Sequence, residues 1–134
     1  MSAGWYRSLG LRSNGTVVAT GKNSNGECKV SSWKNIIQIS AGYDYSLGLC
    51  SDGKVMVAGR CSFNEKISRW KDIVQVSSGY DFALGLRSDG TVVYAGKEAA
   101  CDVSEWTDIY VPQARIEYLD MLKKAIKRQS FFHL

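Results

Sequence analysis

One block of sequence occurs three times in this chain, and that repetition limits its possible folds more than any other feature. The stretch from Gly4 to Gly21, opening Gly4-Trp5-Tyr6-Arg7-Ser8-Leu9-Gly10-Leu11, returns from Gly42 to Gly59 and again from Gly79 to Gly96, at spacings of 38 and 37 residues. A second landmark, Trp33-Lys34-Asn35-Ile36, recurs as Trp70-Lys71-Asp72-Ile73 and Trp106-Thr107-Asp108-Ile109. The interval from the closing glycine to the tryptophan shrinks from 12 to 11 to 10 residues. Length therefore varies there, as in a loop, while the flanking segments keep their register.

Within each unit the pattern is that of β-structure. Tyr45, Leu47 and Leu49 alternate with Ser46, Gly48 and Cys50, and Ser51-Asp52-Gly53 then supplies a hairpin turn into Lys54-Val55-Met56-Val57-Ala58. Ile36-Ile37-Gln38-Ile39-Ser40, matched by Ile73-Val74-Gln75-Val76-Ser77, gives a strand ahead of these two. Each unit reads as three antiparallel strands. The face opposite the leucines is kept small at Gly10, Gly48 and Gly85, which marks the close approach of another backbone. Sheets covered on both faces and stacked face to face are the blades of a propeller. On repeat count alone a three-unit β-trefoil is the alternative.

The succession of a glycine turn, a strand ending Leu-Gly-Leu, Ser-Asp-Gly-Thr-Val-Val and a final Ala-x-Gly resembles the repeat of the regulator of chromosome condensation family. The short loop ending Val-Ser-x-Trp-x-Asp-Ile is similar to compact three-stranded bacterial versions, which include an inhibitor protein of β-lactamases. The resemblance covers residues 2 to 111 and implies an all-β propeller. Two features depart from the family pattern. Its usual histidine before the second strand is replaced by Arg7, Tyr45 and Phe82, and three repeats stand where family propellers have seven blades. Three blades do not close a ring, so the expectation is self-association, with two copies giving six blades by C2 symmetry, or a larger ring. A fragment of a longer parent is the other explanation.

The repeats divide as about 4–41, 42–78 and 79–111, and the period changes after Pro112. Ile116, Leu119, Leu122 and Ile126 fall at helical spacing with basic residues mostly opposite, so 112–134 reads as a basic amphipathic helix. The net charge of +4 is concentrated here. Residues 1–111 carry 12 Lys or Arg against 11 Asp or Glu, and the tail adds Lys123, Lys124, Lys127 and Arg128 among its five basic residues. Such a cluster is available to nucleic acid or an anionic surface, although most basic runs on helices are solvated faces.

The chemistry-bearing residues are few. Four cysteines form no Cys-x-x-Cys pair, and His133 is the only histidine, so the spacing supports neither a metal site nor a Cys-His or Ser-His-Asp nucleophile. The recurring Asn14, Asp52 and Asp89 belong to hairpin turns rather than to a catalytic carboxylate pair. No apolar run approaches the roughly 18 residues of a membrane span, and a reduced, cytoplasmic protein without cofactor or enzymatic activity is the expectation.

The best site candidates lie in the loop between the first and second strands of each unit. There Trp5 and Tyr6, Tyr43 and Asp44, and Tyr80 and Asp81 would repeat an aromatic and acidic cluster on one rim, using residue types enriched at binding hot spots. Tyr45 and Phe82, on the leucine face, are expected to pack inside, and Trp33, Trp70 and Trp106 to wedge between neighbouring blades. The similar β-lactamase inhibitor uses aromatic loops on one propeller face. The resemblance therefore implies non-catalytic recognition of a protein partner. Nucleic-acid or chromatin-type binding through the basic tail is the alternative, and an enzyme site in an assembled central channel comes last.

Overall fold

The computed structural model describes residues 1–23, 26, 28–96, 106–111, 121 and 124. Among the described residues nine strands form three separate three-stranded antiparallel sheets in sequence order. The first contains β1 (Ser2–Ala3), β2 (Arg7–Leu11) and β3 (Val17–Gly21); the second β4 (Ile36–Ala41), β5 (Tyr45–Cys50) and β6 (Val55–Gly59); the third β7 (Ile73–Ser78), β8 (Phe82–Arg87) and β9 (Val92–Gly96). Three independent sheets are blades, and they exclude the trefoil, whose units share one barrel. The connection between the second and third sheets contains a one-turn helix, α1 (Asn64–Ser68), where the sequence suggests only a loop. Its single buried residue, Ile67, anchors it in the core between those sheets.

Local chemistry explains why the repeat looks as it does. In each hairpin the side chain of Asn14, Asp52 or Asp89 accepts the backbone N–H two residues on, at 3.1, 3.0 and 2.9 Å, and the following glycine takes a positive φ of 83 to 88°. The hairpin glycine carbonyl then accepts the N–H of the isoleucine that opens the next unit: Ile36 from Gly15, Ile73 from Gly53 and Ile109 from Gly90, at 3.0 to 3.1 Å. Just before each isoleucine, Asn35, Asp72 and Asp108 adopt φ of 57 to 59°. Among residues with a side chain, Asn and Asp tolerate this left-handed conformation best, which accounts for the recurring Trp-x-Asn/Asp-Ile signature.

Blades stack with a constant polarity. The leucine face of the second sheet, with Tyr45, Leu47 and Leu49, packs on Ile73, Val76, Ala83 and Ala95 of the third, with Trp70 between them. Trp33 lies with Val17 of the first sheet and Ile36 and Ala58 of the second. Both indoles are seated on the glycine face of the following blade. A methyl group at Gly48 would lie 2.7 Å from Trp33 Cζ3, and one at Gly85 would lie 3.1 Å from Trp70 Cε3. Trp33 and Trp70 are therefore the expected wedges. Trp106 is 50% exposed and stands beside Leu84, Leu86 and Val92 on the outer face of the third sheet.

A polar staple crosses each junction at the position where the family pattern has histidine. Arg7, 4% exposed, donates from Nε to Ser46 Oγ at 3.0 Å and from its terminal nitrogens to the carbonyls of Tyr43 (2.8 Å), Gly42 (2.9 Å) and Tyr45. Tyr45, 2% exposed, takes the same place one blade later, its hydroxyl donating to the carbonyls of Gly79 (2.8 Å) and Phe82 (2.6 Å). Burial pushes the Tyr45 phenol far above its ordinary pKa, so it stays protonated and remains a donor. Phe82 occupies the third equivalent position and carries no donor; it is partly buried and stacks with Tyr94 at 6.4 Å. Nearer the chain's first strands, Ala41 donates its N–H to Ser2 Oγ at 3.0 Å, and Ser78 donates its N–H to Ser40 Oγ at 3.1 Å. These bonds draw β1, β4 and β7 together, and the loops that follow them converge.

Three stability changes follow. Gly48→Ala drives a methyl into a buried indole and is expected to cost about 1–3 kcal/mol in urea unfolding. Gly10→Ala meets only Val18 Cγ2, at 3.0 Å on an exposed side chain, and is expected to cost less than about 1 kcal/mol. Tyr45→Phe keeps the packing but withdraws the donor from two carbonyls, and the same measurement is expected to show a loss of about 1–2 kcal/mol.

Candidate functional site

Each loop between first and second strands is closed by one backbone hydrogen bond: Gly4 N–H to the Arg7 carbonyl, Gly42 to Tyr45 and Gly79 to Phe82, at 2.8 to 2.9 Å. The two central residues of each turn are thereby pushed outward, and the staples of Arg7 and Tyr45 fix one turn against the next. The outcome is an aromatic ladder across all three blades. Trp5 meets Tyr43 edge to face at 5.1 Å and Tyr80 at 6.2 Å, and Tyr43 and Tyr80 lie 4.3 Å apart at a 32° tilt. Trp5, Tyr6 and Tyr80 are exposed while Tyr43 is partly buried beneath them. A shallow hollow of about 300 Å³ opens beside the ladder, floored by the glycine turns at Gly4, Gly42 and Gly79.

The acidic members of the candidate set sit behind the rings. Asp44 pairs with Lys22 at 3.4 Å, both partly exposed, and the same ammonium lies 5.9 Å from the Tyr6 ring centroid and 5.7 Å from that of Tyr43. Asp81 lines a second cavity, of about 460 Å³, with Asp44, Tyr43, Tyr80, Arg60 and Phe63. Trp5, Tyr6, Tyr43, Asp44, Tyr80 and Asp81 thus gather on one rim. Arg7, grouped with them by sequence, points the other way and is spent on the neighbouring blade's carbonyls.

Lys22 and Arg60 are the site residues that sequence reasoning passed over. Their signal was present: a cation follows the closing glycine of every repeat, as Lys22, Arg60 and Lys97. Reading the glycine as the end of the unit hid the residue after it. Of the basic tail, Lys123, Lys127 and Arg128 lie outside the described residues, and Lys124 is exposed. The expected amphipathic helix of 112–134 falls almost wholly outside them as well.

No redox or metal chemistry is assembled among the described residues. Cys28, Cys50 and Cys61 take part in no disulfide, and burial raises the pKa of Cys50 and Cys61, which holds them as neutral thiols. The described residues contain no cluster of three metal-ligating side chains, and none of their helices is long and apolar enough to cross a membrane. The rim offers aromatic surface, hydrogen-bonding hydroxyls and alternating charge, the equipment of a recognition surface.

Comparison with known proteins agrees with this architecture. The chain resembles solved propellers at low identity: yeast RCC1 (Prp20), in its complex with Kap60, at TM-score 0.59 and 18% identity over 86% of this chain and 32% of that one. The CRINKLY WD40 ectodomain of the Arabidopsis thaliana receptor kinase ACR4 gives 0.62 and 21% over 78% and 38%, and human WBSCR16 gives 0.58 and 18% over 79% and 36%. The chain thus spans about a third of the length of each of these structures. No curated protein matches its sequence. The model of the regulator of chromosome condensation (RCC1) repeat matches residues 1–27, 36–64 and 73–97, three units in the register of the three sheets. The chain therefore belongs to the RCC1-repeat family.

Proposed function

We propose that this protein is a non-catalytic binding module that recognises a protein partner through its aromatic rim. The observation that carries the reading is the ladder of Trp5, Tyr43 and Tyr80, contributed by three separate blades and exposed at both ends. Large apolar rings held in fixed positions lose little conformational entropy on binding, and such anchors dominate interface energies. Family membership supports it, since RCC1-like propellers are commonly used for protein binding.

The same reading includes a second copy of the chain. The outer leucine face of the third sheet, with Trp106, and the outer glycine face of the first, where Val18 is exposed, are the two halves of the contact made twice inside the chain. Head-to-tail pairing would repeat that contact between copies. It would set Tyr80 of one copy beside the first rim loop of the other, in the reducing cytoplasmic setting expected from the cysteines.

Two measurements check these statements. Trp5→Ala with Tyr80→Ala removes exposed rings without opening the core, so the fold is retained by circular dichroism while capture of the protein's partners from a cell extract falls by about tenfold or more. Unchanged capture overturns the rim. Capture that instead disappears on neutralising Lys123, Lys124, Lys127 and Arg128 transfers the function to the basic tail. Light scattering on a sizing column is expected to give a mass near twice 14.8 kDa across a range of concentrations. A compact monomer rules out the pairing.

A further inference from the structure

Each wedge tryptophan has two seats, the leucine face of the sheet before it and the glycine face of the sheet after it. Trp33 and Trp70 use both and are 3% and 5% exposed, beside buried Ile36 and Ile73. Trp106 has taken only the first. It stands over Leu84, Leu86 and Val92, which the repeat equates with the Leu47, Leu49 and Val55 that pack with Trp70, yet it is 50% exposed and Ile109 39%. The bond from Ile109 N–H to the Gly90 carbonyl and the φ of 57° at Asp108 match those of the two internal junctions, so the backbone is already in the register of a wedge. On the first sheet the complementary seat is open. A methyl group at Gly48 would lie 2.7 Å from Trp33 and one at Gly85 3.1 Å from Trp70, whereas one at Gly10 would meet, among the described residues, only Val18 of its own hairpin within 4 Å.

We infer that the indole of Trp106 seats on Gly10 of a second copy of this chain, and Trp106 of that copy on Gly10 of the first, so that two identical junctions close one ring. The inference rests on the pairing proposed above and names the contact that carries it. An indole and an isoleucine left open on a leucine face are costly in water, and a sheet face stripped to glycine is the surface that covers them twice within the chain. Closure also extends the rim. The ladder that runs from Trp5 through Tyr43 to Tyr80 continues into Trp5 of the second copy, making one aromatic surface from both chains. The new junction differs from the internal ones in lacking a staple. The Phe82 ring stands over its glycine turn as Tyr45 does, a methyl group at Gly79 lying 2.5 Å from Phe82 Cζ and one at Gly42 2.5 Å from Tyr45 Cζ. The Tyr45 hydroxyl donates to the carbonyls of Gly79 and Phe82. One blade further on, the matching carbonyls are those of Gly4 and Arg7 in the second copy, and Phe82 has no hydroxyl to offer them. The junction between copies is therefore weaker than the two inside the chain.

Sedimentation velocity on the whole chain, over a range of concentrations, measures the dimer dissociation constant. Trp106→Ala and Gly10→Leu alter opposite faces, and each should weaken the dimer by about tenfold or more with the circular dichroism unchanged. Phe82→Tyr supplies the missing donor and should tighten it by about fivefold. An equimolar mixture of Trp106→Ala and Gly10→Leu is expected to associate more tightly than either variant alone, because the mixed dimer keeps one native junction. If Trp106→Ala fails to fold, Gly10→Leu and Phe82→Tyr still decide the matter. A dimer that neither of these shifts is joined through another surface, which keeps the pairing and overturns the Trp106 seat. A native chain that is monomeric at every concentration overturns both. In that case, stability lost on Trp106→Ala would assign the cover to residues 112–134 of the same chain. The protein-binding role of the rim is read separately, by capture with the Trp5→Ala and Tyr80→Ala variant.

Discussion

An indole ring laid on a glycine is the contact on which the rest of this molecule depends. Each small sheet has one face built of leucines and one stripped to glycine, and neither face is stable in water alone. Trp33 on Gly48 and Trp70 on Gly85 fill the gap between consecutive sheets and set their separation. A lone three-stranded sheet leaves its apolar face open to water, so packing between blades supplies the burial. The buried residues reflect this, with Leu47, Leu49, Ile67, Ile73 and Ala83 all at the middle junction.

The polar staples carry that packing through to the loops of the proposed binding surface. Arg7 and Tyr45 place donors among the backbone carbonyls of the next rim loop, adding a side-chain bond to carbonyls of Tyr45 and Phe82 that already accept the N–H closing the turn. Arginine supplies several donors and tyrosine one, yet both reach the same structural target, so a position where the family pattern has histidine tolerates either. Loops fixed in this way hold their central residues outward. Trp5, Tyr43 and Tyr80 form a ladder because the turns beneath them are locked to one another.

Much of this was legible in the chain itself. Period-two alternation around Leu47, the Asp-Gly hairpins and the recurring Trp-x-Asn/Asp-Ile segment encode local geometry, and local geometry is what short sequence patterns record. The matching glycines at Gly10, Gly48 and Gly85 also announced a close approach, but of a backbone, whereas at Gly48 and Gly85 the structure brings in the indoles of Trp33 and Trp70. Helix α1 was not visible, because five residues hold too little periodicity to register, and its formation depends on burying Ile67 between two sheets. The inward turn of Arg7 was equally hidden. A charged residue following two aromatics reads as surface until the carbonyls that satisfy it, contributed from more than thirty residues away, are in place.

The amino-acid sequence alone therefore determined three β units, their hairpins, their order and the identity of the rim aromatics, because each of these is set within one repeat by backbone preference and side-chain period. The tertiary structure decided what lies between repeats: which leucine face meets which glycine face, where Arg7 and Tyr45 direct their donors, and how Lys22 comes to sit against Tyr43 and Asp44. Those outcomes depend on distances between blades, and a repeated sequence states what each blade contains without stating how far it stands from the next.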